Sequence, residues 1–285
     1  MVTTAEVHLW GELMGVALWN EQGGYASFQY TPEFINKGIE VSPILMPLSD
    51  RIYSFPELSS QTFLGMPGLL ADALPDRFGR ALLDQWLAMN NRIQANPVER
   101  LCYQGKRCMG ALEFAPAQNR GFDEISVIEV ASLVKVASNV LHDRAILQTN
   151  MGQPTEALMD ILRVGTSAGG QRAKAVIAYN DETQEVRSGQ LDAPKGFDYW
   201  LLKLDGVTNS QLGDPQHYGE IEYVYYLMAK LAGINMTECR LLHENNRSHF
   251  MTRRFDRMSG EKVHMQTLCG LTHSDYSVRN SCSYE

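Results

Sequence analysis

The stretch Gly165-Thr166-Ser167-Ala168-Gly169-Gly170-Gln171-Arg172-Ala173-Lys174 constrains the fold most, because helical spacing leads into it and a strand leads out. Beside the plain reading of a glycine turn, three chemistries compete for it. A Walker A loop needs a lysine directly after its second fixed glycine, and Gln171 stands there, so that reading fails. Gly165-Thr166-Ser167-Ala168-Gly169 spells the G-x-S-x-G of a serine hydrolase, but a nucleophile elbow runs from strand to helix and here the order is reversed. The third is a phosphate cradle, in which glycines let backbone N–H groups approach anionic oxygens and Lys174 adds charge. The surroundings have to decide.

Upstream, residues 6–30 alternate apolar and polar positions between Gly11, Gly15 and Gly23-Gly24, the pattern of an antiparallel meander. A helical period runs from Leu69 to about Asn91 with a break at Leu74-Pro75, where Pro75 fits a helix start with Asp76 in its first turn. Residues 126–142 read as a second helix, with Ser126 and Glu129 as its capping box. Thr155 and Glu156 open a short helix ending near Arg163. Ala173–Tyr179 and Asp198–Leu204 then read as strands, Gly219–Leu231 as a helix ending at Gly233, and 241–257 as two strands around Glu244-Asn245-Asn246. This places a domain boundary near residue 150.

Composition narrows the function classes. At 285 residues, 44% hydrophobic and 20% charged, the chain reads as globular. Its net charge of -8 argues against extensive direct contact with nucleic acid. No apolar run reaches the roughly 18 residues of a membrane span, and the first residues lack a secretory signal, so a cytoplasmic protein is expected. Cys102, Cys108, Cys239, Cys269 and Cys282 are scattered without paired metal-ligand spacing, which fits reduced thiols better than a zinc site.

Three positions support the phosphate cradle. Lys203 sits in the apolar strand Tyr199–Leu204, where an ammonium must reach water or an anion. Glu222 follows in the first turn of the next helix, placed to pair with Lys203. Thr252-Arg253-Arg254-Phe255-Asp256-Arg257 closes a strand pair; it is either a surface charge cluster or the passage from a small lobe to a large one. Glycine loop, strand lysine, helix glutamate and hairpin, in that order, describe a small kinase lobe.

Longer stretches carry a resemblance. Leu64-Gly65-Met66-Pro67-Gly68-Leu69-Leu70-Ala71-Asp72-Ala73-Leu74-Pro75-Asp76-Arg77-Phe78-Gly79, Gly105–Phe114 with its Met109-Gly110-Ala111-Leu112-Glu113-Phe114 core, Arg254-Phe255-Asp256-Arg257 and His264-Met265-Gln266-Thr267-Leu268-Cys269 resemble, in order, the motifs of HipA-type serine/threonine kinase toxins. The glycine loop is similar to that family's G-x-S-x-G-G-x-x-P-K, with Ala173 where proline is usual. The resemblance implies an α+β fold. A HipA-like amino-terminal domain of β-meander and helices (1–150) would precede a protein-kinase-like small lobe and the start of a helical large lobe (151–285).

It also implies ATP and Mg2+, phosphoryl transfer to protein serine or threonine, autophosphorylation at Ser167, and a HipB-like helix-turn-helix antitoxin through which alone DNA is contacted. The ATP contacts it implies are Gly169, Gly170, Gln171, Arg172, Ala173 and Lys174 of the loop, Lys203 with its partner Glu222, and Arg253, Arg254 and Phe255 beside the adenine. Leu271-Thr272-His273-Ser274-Asp275 echoes the family's L-A-H-x-D, but its D-G-H-x-K-N catalytic loop and metal-binding aspartate have no counterpart in these residues. A kinase truncated before its catalytic loop, and inactive on its own, is therefore expected. The alternatives are a non-catalytic module that binds the antitoxin or a paralogue and, more remotely, a serine hydrolase built on Ser167.

Overall fold

The computed structural model describes residues 2–118, 122, 127–142, 156–165, 172–207, 217–258, 260–279 and 283. Ser126, Thr155, Ser167, Gly169, Gly170 and Gln171 lie outside the described residues. In chain order the elements are β1 (Thr4–Leu9), β2 (Glu12–Asn20), β3 (Tyr25–Tyr30), α1 (Pro32–Ile35), β4 (Tyr53–Ser54), α2 (Gly68–Ala71), α3 (Arg77–Met89), α4 (Pro97–Gln104) and β5 (Leu112–Ala115). There follow α5 (Val130–His142), α6 (Glu156–Val164), β6 (Lys174–Tyr179), β7 (Val186–Ser188), β8 (Asp198–Lys203), α7 (Tyr218–Leu231), β9 (Cys239–Glu244), β10 (Arg247–Arg253) and α8 (Leu268–Thr272).

They pack as two compact units that interleave along the chain. One contains Met1–Leu74, Ala95–Arg120 and Lys262–Glu285; the other contains Pro75–Gln94 and Gly121–Glu261. Packing therefore does not follow a single cut in the sequence.

The first unit is built on an antiparallel sheet in the order β4-β3-β2-β1-β5. The alternation in 6–30 is what makes it: Ala5, Val7 and Leu9 face inward together with Ala26, Phe28 and Tyr30. Gly15 lets β2 pass the ring of Phe28, since a Cβ there would lie 2.5 Å from Phe28 Cζ. Helix α4 starts because the Asn96 side chain accepts from Glu99 N at 2.9 Å and Pro97 needs no donor in the first turn. It buries Val98, Leu101 and Cys102 in the same core as Phe114, Leu69 and Leu70.

Three of the longer motifs meet in this unit. Gly110, at φ +74°, leaves room for Met265, whose Cγ would lie 3.0 Å from an added Cβ. Lys262 donates to the Lys106 carbonyl and to Glu113, both at 2.7 Å. Asp72 accepts from the N–H and hydroxyl of Thr267 at 2.6 and 2.8 Å, tying down the start of α8. His273 Nε2 accepts from Gly68 N at 3.0 Å, between the rings of Phe55 and Phe63. The carboxyl-terminal motif thus packs against the amino-terminal ones.

The second unit holds an antiparallel sheet in the order β7-β6-β8-β10-β9, with α7 between β8 and β9 in sequence. Counted along the sheet from its own first strand, this is order 2-1-3-5-4 with one helix after the third strand, the plan of a protein-kinase small lobe. The β9–β10 turn is tight because Asn245 and Asn246 both take positive φ (43° and 62°), which matches the twist of the flanking strands. Helices α3, α5 and α6 belong to this unit, with Trp86 of α3 edge-on to Phe122.

Three local expectations are corrected. Helix α3 begins at Arg77, with Asp76 as its N-cap accepting from Gly79 N at 2.7 Å, so Asp76 precedes the first turn. Helix α5 begins at Val130, because Val127 and Ile128 are drawn into bridging and hydrogen bonding with Arg187 and Val186. Helix α7 begins at Tyr218, so Glu222 is its fifth residue and Glu220 holds the first-turn position.

Candidate functional site

Register fixes which residues share a face of the second sheet. Lys174, Lys203 and Phe250 are directly opposed on β6, β8 and β10, and two positions on so are Val176, Leu201 and Thr252. These six stand on one face, while Ile177, Trp200, Leu202 and Met251 point to the other and are fully buried. Two ammonium groups directly across a strand pair repel unless each is compensated. Each has its own carboxylate.

Lys203 forms a hydrogen-bonded ion pair with Glu222, and its ammonium lies 5.6 Å from the centre of the Phe250 ring. Helix α7 delivers Glu222 because Gly219 lets the helix sit directly on β10; a Cβ there would fall 2.1 Å from the Ser248 carbonyl oxygen. Both side chains keep about a third of their surface, 33% and 31%, so the pair is open to a ligand. The expected partnership of Lys203 and Glu222 is therefore formed, and Lys203 is not a plain solvent-facing lysine.

Lys174 is placed differently. Its ammonium donates to Asp76 Oδ2 at 2.7 Å, and the two side chains are 3% and 1% exposed. The guanidinium carbon of Arg172 lies over the Tyr218 ring, 3.4 Å from its centre. Ala173 is buried, its carbonyl accepting from Leu204 N at 3.1 Å. At the other shoulder, Gly165 follows α6 directly; its carbonyl accepts from the Gln190 amide, and a Cβ on it would meet Leu82 of α3 at 3.0 Å. A helix ending at Val164 and a strand beginning at Lys174 give the reverse of the strand-to-helix order that a hydrolase elbow requires.

The Arg253–Arg257 segment divides into exposed and buried members. Arg253 is half-exposed and pairs with Asp198, and Phe255 is exposed. Arg254 is buried, its guanidinium gripping Asp256 through Nε (2.9 Å) and Nη2 (2.6 Å) and donating to the Gly189 carbonyl at 3.1 Å. Arg257 adds a bond to Asp256 at 2.9 Å. The reading as a surface charge cluster does not hold for Arg254 and Asp256, which form a buried polar knot.

Within the sheet, burial pushes the Cys239 thiol of β9 up and the His249 imidazole of β10 down from their ordinary values. Among the described residues no three histidine, cysteine, aspartate or glutamate side chains gather as metal ligands, and no helix is long and apolar enough to cross a membrane. The residues that reading the sequence missed are Asp76 and Tyr218, which fix the shoulder of the loop. Asp76 was legible as a helix-start signal, but its partner lies 98 positions away.

Residues 5–115 match the HipA N-terminal domain and residues 166–285 the HipA-like C-terminal domain. No curated protein sequence matches. Among solved structures, the chain is similar to HipA in the Shewanella oneidensis MR-1 complex of HipA, HipB and operator DNA. That match has a TM-score of 0.55 at 18% identity, over 92% of this chain and 53% of that one. The chain thus spans about half the length of the solved protein it matches. Carrying the HipA N-terminal pattern over residues 5–115 and the HipA-like C-terminal pattern over residues 166–285, the chain belongs to the HipA family.

Proposed function

We propose that the second unit grips the phosphates of ATP for a HipA-type serine/threonine kinase. The observation that carries this is the Lys203–Glu222 ion pair, joining the third strand of a 2-1-3-5-4 sheet to the helix that follows it. In protein kinases such a pair fixes a lysine against the nucleotide phosphates. Here Glu222 orients the ammonium, and the partly exposed Leu201, two positions before Lys203 on the same face of β8, offers apolar surface to the base. ATP fits these residues: an oriented cation with about a third of its surface exposed stands beside an apolar side chain of the same strand. Arg253 and Phe255, at the end of β10, border the base in this reading.

Bound Mg2+ would neutralise charge on the phosphates; among the described residues no carboxylate set gathers to hold it. The 285 residues contain no D-G-H-x-K-N loop, and phosphoryl transfer needs a catalytic aspartate from outside them. Transfer to serine or threonine, with Ser167 as the autophosphorylation site, belongs to this proposal, as does a HipB-like antitoxin that alone contacts DNA.

The test is a fluorescence titration with mant-ATP. Lys203→Met should lose at least tenfold in affinity and Glu222→Gln several-fold, with little change in thermal midpoint because both groups are partly solvated. Wild-type affinity in Lys203→Met would sink the reading.

A second reading, a module that binds a paralogue or antitoxin without turnover, is favoured by one feature. Helix α7 exposes Ile221, Val224, Tyr225, Met228 and Leu231 at spacings that make one continuous apolar row. Co-purification with a tag at either end tests it; recovery of no partner counts against it.

A further inference from the structure

We propose that Asp76 is a positioning residue for phosphate recognition, acting through Lys174, and that Lys174 is an internal anchor and no phosphate ligand. This rests on the nucleotide-binding reading above. The resemblance offers the loop's two cations, Arg172 and Lys174, to the phosphates. The geometry commits both elsewhere. Lys174 gives its ammonium to Asp76 with both side chains buried, so turning it toward a ligand would strand a carboxylate out of water. The guanidinium carbon of Arg172 lies over the ring of Tyr218, the first residue of the helix that carries Glu222.

Helix α3 reaches both shoulders of the glycine loop. Its N-cap Asp76 holds Lys174 after the loop, and its Leu82 packs against Gly165 before it. Asp76 is doubly used: Oδ1 accepts from Gly79 N at 2.7 Å and starts the helix, while Oδ2 receives the Lys174 ammonium. The cap fixes the carboxylate, so the carboxylate can fix the lysine.

Lys174 is in turn the first residue of β6 and stands directly opposite Lys203. Anchoring it sets the start of β6 against the end of β8, where the phosphate-facing lysine lies. The motif Leu74-Pro75-Asp76-Arg77-Phe78-Gly79, which the sequence assigns to the amino-terminal domain, is on this account part of the nucleotide site. With Lys174 neutralised by Asp76, the cation left to face phosphate on this row is Lys203, held at one side by Glu222 and open at the other.

The test compares mant-ATP with mant-adenosine on the full chain, so that phosphate recognition is read separately from general damage to the site. Asp76→Asn keeps a good N-cap side chain and removes the charge. We expect it to weaken mant-ATP at least tenfold and to leave mant-adenosine within twofold. The double variant Asp76→Asn with Lys174→Met removes both charges, which buried sites tolerate better than removal of one. It covers the case in which the single variant unfolds. The same split is expected, no worse than in the single variant, because the two residues act as one unit.

Wild-type mant-ATP affinity in the double variant, or equal losses for both ligands, overturns the proposal. So does a further loss in the double variant beyond the single, which would give Lys174 its own phosphate contact. Lys203→Met in the same series separates the two readings. If it binds mant-ATP like wild type, the nucleotide site itself is wrong; if it alone loses affinity, the site stands and the Asp76 proposal falls.

Discussion

Replacing Asp256 by asparagine should unfold the second unit far more readily than its modest chemistry implies. The carboxylate receives Nε and Nη2 of Arg254 and Nη1 of Arg257 at 2.6–2.9 Å. The three side chains are 1%, 1% and 7% exposed. An asparagine of the same shape offers one acceptor oxygen and turns an amide donor toward a guanidinium. The carboxylate that both guanidiniums share is then gone, and a neutral oxygen stands in its place in a dry site. Removing one partner of a buried pair costs about 3–5 kcal/mol, most of it the penalty of the charge left behind. For a unit of this size each kcal/mol lowers the midpoint by about 2–4 °C, so a fall on the order of 10 °C is expected.

Urea unfolding followed by tryptophan fluorescence measures it, with the fully buried Trp200 of the same sheet as reporter. Arg253→Ala is the internal control: its guanidinium is half-exposed and pairs with an exposed Asp198, so a change within about 0.5 kcal/mol is expected. An Asp256→Asn loss below about 1 kcal/mol at unchanged m would refute the reasoning, since the knot would then have to be wetter than its burial implies.

Other outcomes follow from the same geometry. Gly219→Ala places a Cβ against the Ser248 carbonyl and should cost about 1–3 kcal/mol in urea. It should also lift α7 from β10 and weaken mant-ATP binding by separating Glu222 from Lys203; unchanged binding would mean that α7 sits less tightly than it does here. Acid should loosen the first unit. Burial holds the His273 imidazole below its ordinary value against a smaller opposing pull from Glu57, and Nε2 accepts a backbone N–H only when neutral. Its contribution is complete above the unfolded value of about 6.5 and is lost as pH falls through the lower folded value. His273→Gln should flatten that part of the pH–stability curve, and an unaltered slope assigns the effect to His264, which burial also depresses. Native-state alkylation should spare Cys102, whose thiol burial pushes up to about 12, and, among the described cysteines, reach the partly exposed Cys269 first.

Much of the fold is set by local chemistry and was legible. Alternation built β1 to β3, the asparagine pair made the β9–β10 turn, and glutamate and lysine at the right places in an ordered run of elements marked the Lys203–Glu222 pair. Helix starts were less legible, because a capping pattern is a preference that pairing can override. Val127 and Ile128 went to Val186 and Arg187, a contact nearly 60 residues away that no local rule announces.

What the sequence by itself determined is membership of the HipA family, through long ordered motifs, and the candidate cations, through a glycine loop followed by a strand lysine. What only tertiary structure decided is the use to which each cation is put. Lys174, Lys203 and Arg254 look alike in one dimension, as basic residues in or beside strands. They differ because Asp76 reaches the first and buries it, Glu222 reaches the second and leaves it open, and Asp256 locks the third out of solvent. The worth of a charge depends on its partner and on its distance from water, and folding sets both.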